Sequence, residues 1–208
     1  MKKKLTLFVV LLLTAALSAC NAQSSNTKEE EKGKQDTNAS SESSSKQESK
    51  KEADGTRSAP IPLKESLMFE DYIMTQDKEY TATLEMVVKE VIRGDKAFDI
   101  LYKRNSNNPK PNKGYEYALI KVNVKMTDSE TDDEPLLFSQ ILNFEFFGSD
   151  GSPYADVLGV VVPKDFQGEV YNGGSLEGYL VNQVKKGDDF LIAYKSLSTT
   201  GKLFFKTK

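Results

Sequence analysis

The pattern that most constrains the fold is an alternation of apolar and polar residues over residues 115–126. A repeat of two residues places successive side chains on opposite faces of the chain, which is the geometry of a β-strand and not of a helix. The polar positions hold Lys121, Asn123 and Lys125. The apolar positions are Ala118, Ile120, Val122, Val124 and Met126. The sequence therefore predicts a strand with one face in a core and the other in water.

Similar short strands recur and define the fold class. They are expected at residues 80–88, 97–102, 142–146, 176–184, 190–194 and 202–205. Turn signals rich in Gly, Asn and Asp separate most of them. Only residues 63–72 and 138–142 have helical spacing, so a short helix or turn is expected at each. Seven or so short strands with turns between them predict an all-β antiparallel sandwich or barrel, formed as one domain by residues 61–208.

Residues 1–19 have the order of parts found in a lipoprotein signal peptide. Three lysines at positions 2–4 precede an apolar run over residues 5–17, which is too short for a permanent membrane span. Residues 17–20 then read Leu-Ser-Ala-Cys, a close match to the lipobox that precedes a lipid-bearing cysteine. We expect Cys20 to carry the lipid and to anchor the chain to the outer face of the cell membrane. The alternative is an ordinary secretory signal with a chance cysteine after the cleavage site.

Residues 20–60 are predicted to form a lipidated cysteine followed by a disordered tether. From residue 21 to residue 60 there is no Val, Ile, Leu, Met, Phe, Trp or Tyr, so this segment has no large apolar side chain to bury. A flexible coil of this length has an end-to-end distance of about 35 Å. The tether would therefore hold the domain away from the membrane surface.

Composition excludes several kinds of chemistry. The chain has no histidine, and Cys20 is its only cysteine, so catalysis by Ser-His-Asp or Cys-His, ordinary zinc or copper sites and intramolecular disulfides are all excluded. No cofactor is expected. Removal of the three signal lysines leaves 25 basic against 31 acidic residues, a formal charge of −6. This charge argues against nucleic acid and against an anionic membrane surface as partners.

One loop is a weak candidate for calcium. It contains Asp128, Glu130, Asp132, Asp133 and Glu134. Calcium prefers such hard oxygen ligands, but the loop lacks the glycine and the spacing of an EF-hand. A solvated acidic loop is the better interpretation, and no specific metal site is expected.

Two tyrosines are candidates for a binding surface. Tyr115 and Tyr117 fall on the face of their strand opposite to Ile120 and Val122, which predicts that both rings are exposed. Exposed tyrosines on a rigid sheet suit recognition of a protein or a glycan. The alternative is that aromatic rings at the start of a strand cover the edge of the core.

Two segments resemble a known family. Residues 108–117 read NPKPNKGYEY and lead directly into the alternating strand, and residues 174–181 read GSLEGYLV. This order resembles the extracellular domain of Gram-positive lipoproteins called domain of unknown function 4352. The resemblance implies an immunoglobulin-like antiparallel sandwich similar to the immunoprotective extracellular antigen of mycobacteria. It implies no functional residues, and polar Asn182 and Gln183 depart from the apolar residues usual in the family.

These observations predict a surface-tethered, non-enzymatic module that binds an envelope or extracellular protein or glycan. The first alternative is a hydrolase of the cell wall that acts through paired carboxylates. The second is a structural component of the envelope that only stabilises an assembly.

Replacement of the single cysteine tests the anchor. The variant Cys20→Ala should lose incorporation of radioactive palmitate and leave the membrane fraction, because the thioether attachment point is gone. Equal labelling of the variant and the wild type would contradict the lipoprotein assignment.

Overall fold

The computed structural model describes residues 55–197 and 201–208. The predicted signal peptide, Cys20 and the tether up to residue 54 lie outside the described residues. Neither described helix is long and apolar enough to cross a membrane.

Within residues 55–197 and 201–208, nine strands and two short helices form the domain. The helices are α1 (Asp95–Arg104) and α2 (Gln140–Asn143). The strands are β1 (Ser66–Met74), β2 (Glu79–Arg93), β3 (Tyr115–Ser129), β4 (Leu136–Ser139), β5 (Phe144–Phe147), β6 (Gln167–Val170), β7 (Ser175–Lys185), β8 (Leu191–Lys195) and β9 (Lys202–Lys206).

The strands form an antiparallel sandwich. One layer is a four-stranded sheet in the order β1-β2-β3-β7. The other layer contains the three-stranded sheet β5-β8-β9 and the separate pair β4-β6. All the pairings between these strands are antiparallel, so the predicted all-β antiparallel class is confirmed. The strands β1, β2 and β3 follow one another both in the chain and in the large sheet. A turn joins β1 to β2, and α1 with the loop after it joins β2 to β3.

The main core lies between the two layers. The large sheet contributes aliphatic side chains, among them Leu84, Ile120 and Val122, all 0% exposed. The opposite layer contributes aromatic rings, and those of Phe144 and Phe166 meet edge to face at 5.4 Å. Aromatic rings fill the wide space between sheets and dominate the energetics of burial. The alternation over residues 115–126 therefore identified the core face of β3 correctly.

A buried polar group also joins the two layers. Asp71 of β1 is 1% exposed, and its carboxylate accepts hydrogen bonds from Tyr194 Oη and Ser196 Oγ, each at 2.5 Å. A buried carboxylate is costly unless it is well hydrogen-bonded, so these contacts fix β1 against the end of β8. Burial, together with the Asp71 charge, raises the pKa of Tyr194.

One predicted strand was wrong, and one predicted helix or turn is mostly strand. Residues 97–102 are part of α1 and not a strand, because Ala97 and Leu101 are buried together at helical spacing while Gly94 enters the helix with a φ of 65°. Residues 63–64 form a turn, but residues 66–72 are not helical and belong to β1. In β1 the inward positions alternate as expected for a strand, but one of them is polar Asp71, which obscured the pattern in the sequence.

The domain also begins earlier than expected. Gly55 is buried, and its carbonyl accepts a hydrogen bond of 2.7 Å from Phe204 N. Ile61 pairs with Phe205 in a parallel bridge. Residues 55–60, which the sequence analysis assigns to the tether, are therefore attached to the domain.

The hydrogen bond from Tyr194 to Asp71 predicts that the domain loses stability at alkaline pH. Free phenols ionise near pH 10, whereas folded Tyr194 holds its proton to a higher pH. The stability that this raised pKa contributes is complete below about pH 10 and is lost as the pH rises further. The variant Tyr194→Phe should be less stable by about 2 kcal/mol at pH 8, and its stability should fall less than that of the wild type between pH 9 and pH 11.

Urea unfolding measured across this pH range provides the check. Ser196→Ala is the matched control, because it removes a hydrogen bond to the same carboxylate without removing a phenol. It should lower stability while keeping the alkaline loss of the wild type. An equal alkaline loss in Tyr194→Phe and the wild type would contradict the assignment.

Candidate recognition site around Tyr115

Tyr115 is the first residue of β3, at the end of the sheet where β7 finishes. It pairs with Lys185, the last residue of β7. The turn before it is tight: Gly114 has a φ of 86°, and Tyr115 N donates to Asn112 O at 2.9 Å. A positive φ favours glycine, so this turn fixes the point at which β3 begins.

A cleft lies on each side of Tyr115. The first cleft has a volume of about 420 Å³, and the residues that line it include Asn112, Asp150, Tyr154, Gln183 and Lys185. The second cleft also has a volume of about 420 Å³, and the residues that line it include Asp95, Phe98, Lys110, Glu116 and Lys186. Tyr115 lines both clefts and is half-buried, so its ring forms the wall between them.

The structure separates the two predicted tyrosines. Tyr117 is 0% exposed, so the prediction that its ring is exposed was wrong. It does lie on the face opposite to Ile120, but α1 covers that face: the ring of Phe98 stacks on Tyr117 at 6.3 Å. Tyr117 Oη donates to the carbonyl of Pro109 at 3.1 Å and accepts from Gln183 Nε2 at 3.3 Å. Burial raises the pKa of Tyr117, while the contact with Gln183 opposes this effect.

Gln183 also organises the loop beside Tyr115. Its Oε1 accepts a hydrogen bond of 2.8 Å from Asn112 N. One side chain of β7 thus binds both Tyr117 and the loop before β3. The polar residue that departs from the family pattern therefore has a structural role at this site.

The first cleft is braced by Asp188. Its carboxylate accepts hydrogen bonds from Tyr154 Oη at 2.6 Å and from Ser149 Oγ at 2.5 Å. Burial, with the hydrogen bond to Asp188, raises the pKa of Tyr154 to about 12. Burial also acts to raise the pKa of Asp188, but the hydrogen bonds from Ser149 and Tyr154 outweigh it and lower that pKa. The Tyr154 ring in turn meets the edge of Tyr115 at 6.5 Å.

An ion pair borders the same cleft. Lys185 Nζ lies 3.0 Å from Asp150 Oδ2. The Ser152 amide and Lys185 lower the pKa of Asp150, and Asp150 raises that of Lys185. Both side chains are about half exposed, at 55% and 51%, so the pair remains open to an approaching partner.

Glu116 in the wall of the second cleft forms an ion pair with Arg93 behind it. Arg93 donates to Glu116 Oε1 from Nη2 at 2.6 Å and from Nε at 3.1 Å. Its guanidinium also lies over the Phe190 ring at 5.1 Å, and its Nη1 donates to the carbonyl of Asp188 at 2.8 Å. These contacts join β2, β3 and the 185–190 turn, while exposed Lys110 and Lys186 remain at the rim.

The clearly shifted groups of this site are hydrogen-bond donors and acceptors at neutral pH. General acid–base catalysis works best with a pKa near the working pH. Here the phenol of Tyr154 is raised away from neutrality, and the carboxyls of Asp150 and Asp188 are lowered away from it. At neutral pH the phenol donates and the carboxylates accept.

The acidic loop is spread out and solvent-exposed. Glu130 accepts a hydrogen bond from Thr81 N at 2.7 Å, and Asp132 accepts one from Asn172 Nδ2 at 2.7 Å. Asp128 belongs to β3, and Asp133 and Glu134 are exposed. Within residues 55–197 and 201–208, no group of three acidic side chains could hold a metal ion. That the loop has no specific calcium site stays a prediction.

Tyr154 and Asp188 were not predicted as site residues. Both lie in or beside the Gly- and Asp-containing turn segments 148–153 and 185–188, which separate predicted strands. The hydrogen bond between them joins positions 34 residues apart. Spacing along the chain gives no signal for such a contact.

Comparison with known proteins leaves the family open. No family model matches the chain, and no curated protein matches it at a significant level. Two solved structures from Bacillus subtilis are weakly similar. The candidate lipoprotein ycdA has a TM-score of 0.44 and 16% identity over 67% of this chain, and the match spans 37% of ycdA. The yjhA protein has a TM-score of 0.41 and 11% identity, covering 70% of this chain and 98% of yjhA. Membership in the family of domain of unknown function 4352 therefore stays a prediction.

Proposed function

We propose that this protein is a lipid-anchored, extracellular and non-enzymatic binding module that recognises an envelope protein or glycan through the surface around Tyr115. Cys20 is the anchor, and residues 21–54 connect it to the domain. The observation that carries the proposal is the pair of clefts on either side of Tyr115, at an end of the sandwich where loops from distant parts of the chain meet.

The chemistry of the two clefts supports recognition. An aromatic ring between two polar clefts presents an apolar surface for stacking and several partners for hydrogen bonds. The cleft walls are held by Tyr154 with Asp188 and by Arg93 with Glu116. A surface that is already ordered loses little conformational entropy when a partner binds.

The ionisation of the carboxyl groups supports a non-enzymatic role over a wall hydrolase. A glycosidase that uses two carboxyl groups needs one with a raised pKa to act as the acid. Among the described residues, every carboxyl group with a clear shift has a lowered pKa: Glu145, Asp150, Glu177 and Asp188. At neutral pH these four groups are charged acceptors.

The tether that the sequence predicts also suits a binding module. A flexible segment keeps the domain at high local concentration near the envelope while allowing it to search. This raises the occupancy of a weak binding surface without any new contact.

Cross-linking on intact cells tests the binding surface. In the full-length chain, Tyr115→Ala should reduce the yield of the specific cross-linked product at least fivefold, the order of loss typical of an aromatic residue at the centre of an interface. Tyr171→Ala is the matched control, because Tyr171 is 44% exposed and lines neither cleft. It should leave the yield unchanged.

Thermal unfolding distinguishes lost binding from lost folding. Tyr115→Ala and Tyr171→Ala should each keep the melting midpoint within about 3 °C of the wild type, whereas Tyr117→Ala should lower it by about 10 °C because a buried ring is removed. An unchanged cross-linking yield in Tyr115→Ala, or a large fall in its melting midpoint, would contradict the proposed surface. Release of soluble fragments from purified cell wall, abolished by one Asp or Glu substitution, would contradict the non-enzymatic role.

A further inference from the structure

Three lysines converge on one carboxylate on the outer face of the large sheet. Glu177 of β7 lies 2.8 Å from Lys89 Nζ, 3.1 Å from Lys164 Nζ and 3.3 Å from Lys121 Nζ. Hydrogen bonds from Lys89 and Lys164, with a smaller effect of Lys121, lower the pKa of Glu177 to about 2. We call Lys89, Lys121, Lys164 and Glu177 the lysine cluster. Its three positive charges exceed its single negative charge by two.

The excess of positive charge extends into a neighbouring shallow cleft. This cleft, of about 380 Å³, is lined by Leu63, Lys64, Lys89, Glu90, Val91 and Lys121. Adding Lys64 and Glu90 to the lysine cluster gives four positive and two negative charges, so the excess remains two. The full chain has a net charge of −3, so this surface is opposite in sign to the chain as a whole.

Three of these lysines lie at irregular points of the backbone. Lys89 lies at an irregularity of β2, where the register with β3 shifts between Val88 and Glu90. Within the described part of the chain, the non-glycine residues with a positive φ are Lys64, at 71°, and Lys164, at 53°. L-residues rarely adopt this conformation. Both of these lysines border the same surface.

The ammonium groups retain donors for a further partner. An ammonium has three N–H groups, and a single carboxylate has two oxygens to share among the three lysines of the cluster. The side chains of Lys89, Lys121 and Lys164 are 44%, 30% and 60% exposed, whereas that of Glu177 is 24% exposed. Glu177 thus gathers the three ammonium groups while leaving them open to solvent.

We propose that the lysine cluster, with Lys64, is a binding site for a flexible anionic polymer that carries phosphate groups. Lysine binds phosphate as a compact charge with several donors. This site is separate from the surface around Tyr115 and does not depend on the function proposed for it.

The charge distribution favours a flexible polymer over a membrane surface as the ligand. A membrane of anionic lipids would present a broad plane of negative charge, and the acidic remainder of the domain would be repelled by it. A narrow chain contacts the lysine cluster alone.

Titration of the full mature chain with inorganic polyphosphate at low salt tests the site. Binding to the wild type should be saturable and should weaken as salt is added. Lys121→Gln and Lys164→Gln should each weaken it about fivefold, the loss expected for one lysine beside an anionic surface. Glu177→Gln should strengthen it about fivefold by the same measure, because the competing carboxylate is removed.

The matched control is the smaller cluster on the opposite layer. Lys195 and Lys202 lie 3.5 Å and 2.6 Å from Glu145, an excess of only one positive charge. Lys195→Gln and Lys202→Gln should change the affinity for polyphosphate less than twofold. The melting midpoint of each variant confirms that it is folded during the titration, and exposed Lys164 provides a change that leaves the core intact.

Three results would overturn the proposal. The first is that Glu177→Gln binds polyphosphate no more tightly than the wild type. The second is that Lys121→Gln and Lys164→Gln behave like the control variants. The third is that vesicles containing anionic phospholipid bind the chain as tightly as polyphosphate does, which would identify a membrane surface as the ligand.

Discussion

The burial of β3 on both faces is the constraint on which the rest of the domain depends. One face, with Ile120 and Val122, lies in the main core. On the other face Tyr117 and Leu119 pack with Ala97 and Leu101 of α1 in a second cluster. The strand also pairs with β2 on one side and with β7 on the other. A shift of register by one residue would exchange the two faces, so their different partners fix the register of β3 and the point at which it begins.

This fixed starting point explains why the surface around Tyr115 is ordered. Tyr115 emerges where the second cluster ends, and Gln183 ties the preceding loop to β7. Asp188 holds the 148–154 loop through Ser149 and Tyr154. The clefts are therefore built by contacts among four segments that are distant in the sequence. Under the proposed function, a partner would meet a surface whose shape the fold has already set, and rigid placement of this kind favours specific binding.

The sequence predicted the fold class and the core face of β3, because the strict alternation over residues 120–126 leaves a single assignment of the inward side. It did not predict that α1 packs on the other face of β3. Tyr117 and Leu119 are apolar side chains on the face of β3 that was expected to face solvent. Apolar residues on both faces of a strand indicate that both faces are buried. Residues 97–102 of α1 were predicted as a strand, because periodicity alone cannot distinguish a strand from a helix in so short an apolar segment. The contacts of Asp188 and the convergence of three lysines on Glu177 arise only in the folded chain, from residues whose spacing carries no signal.

The central claim is that the surface around Tyr115 contacts a component of the envelope. The most direct measurement is hydrogen–deuterium exchange of the full-length protein, read by mass spectrometry, free and bound to isolated envelopes. The account predicts added protection over residues 109–116 and 183–188 in the bound sample, because these segments border the two clefts. Binding to envelopes with no added protection in either segment would contradict it.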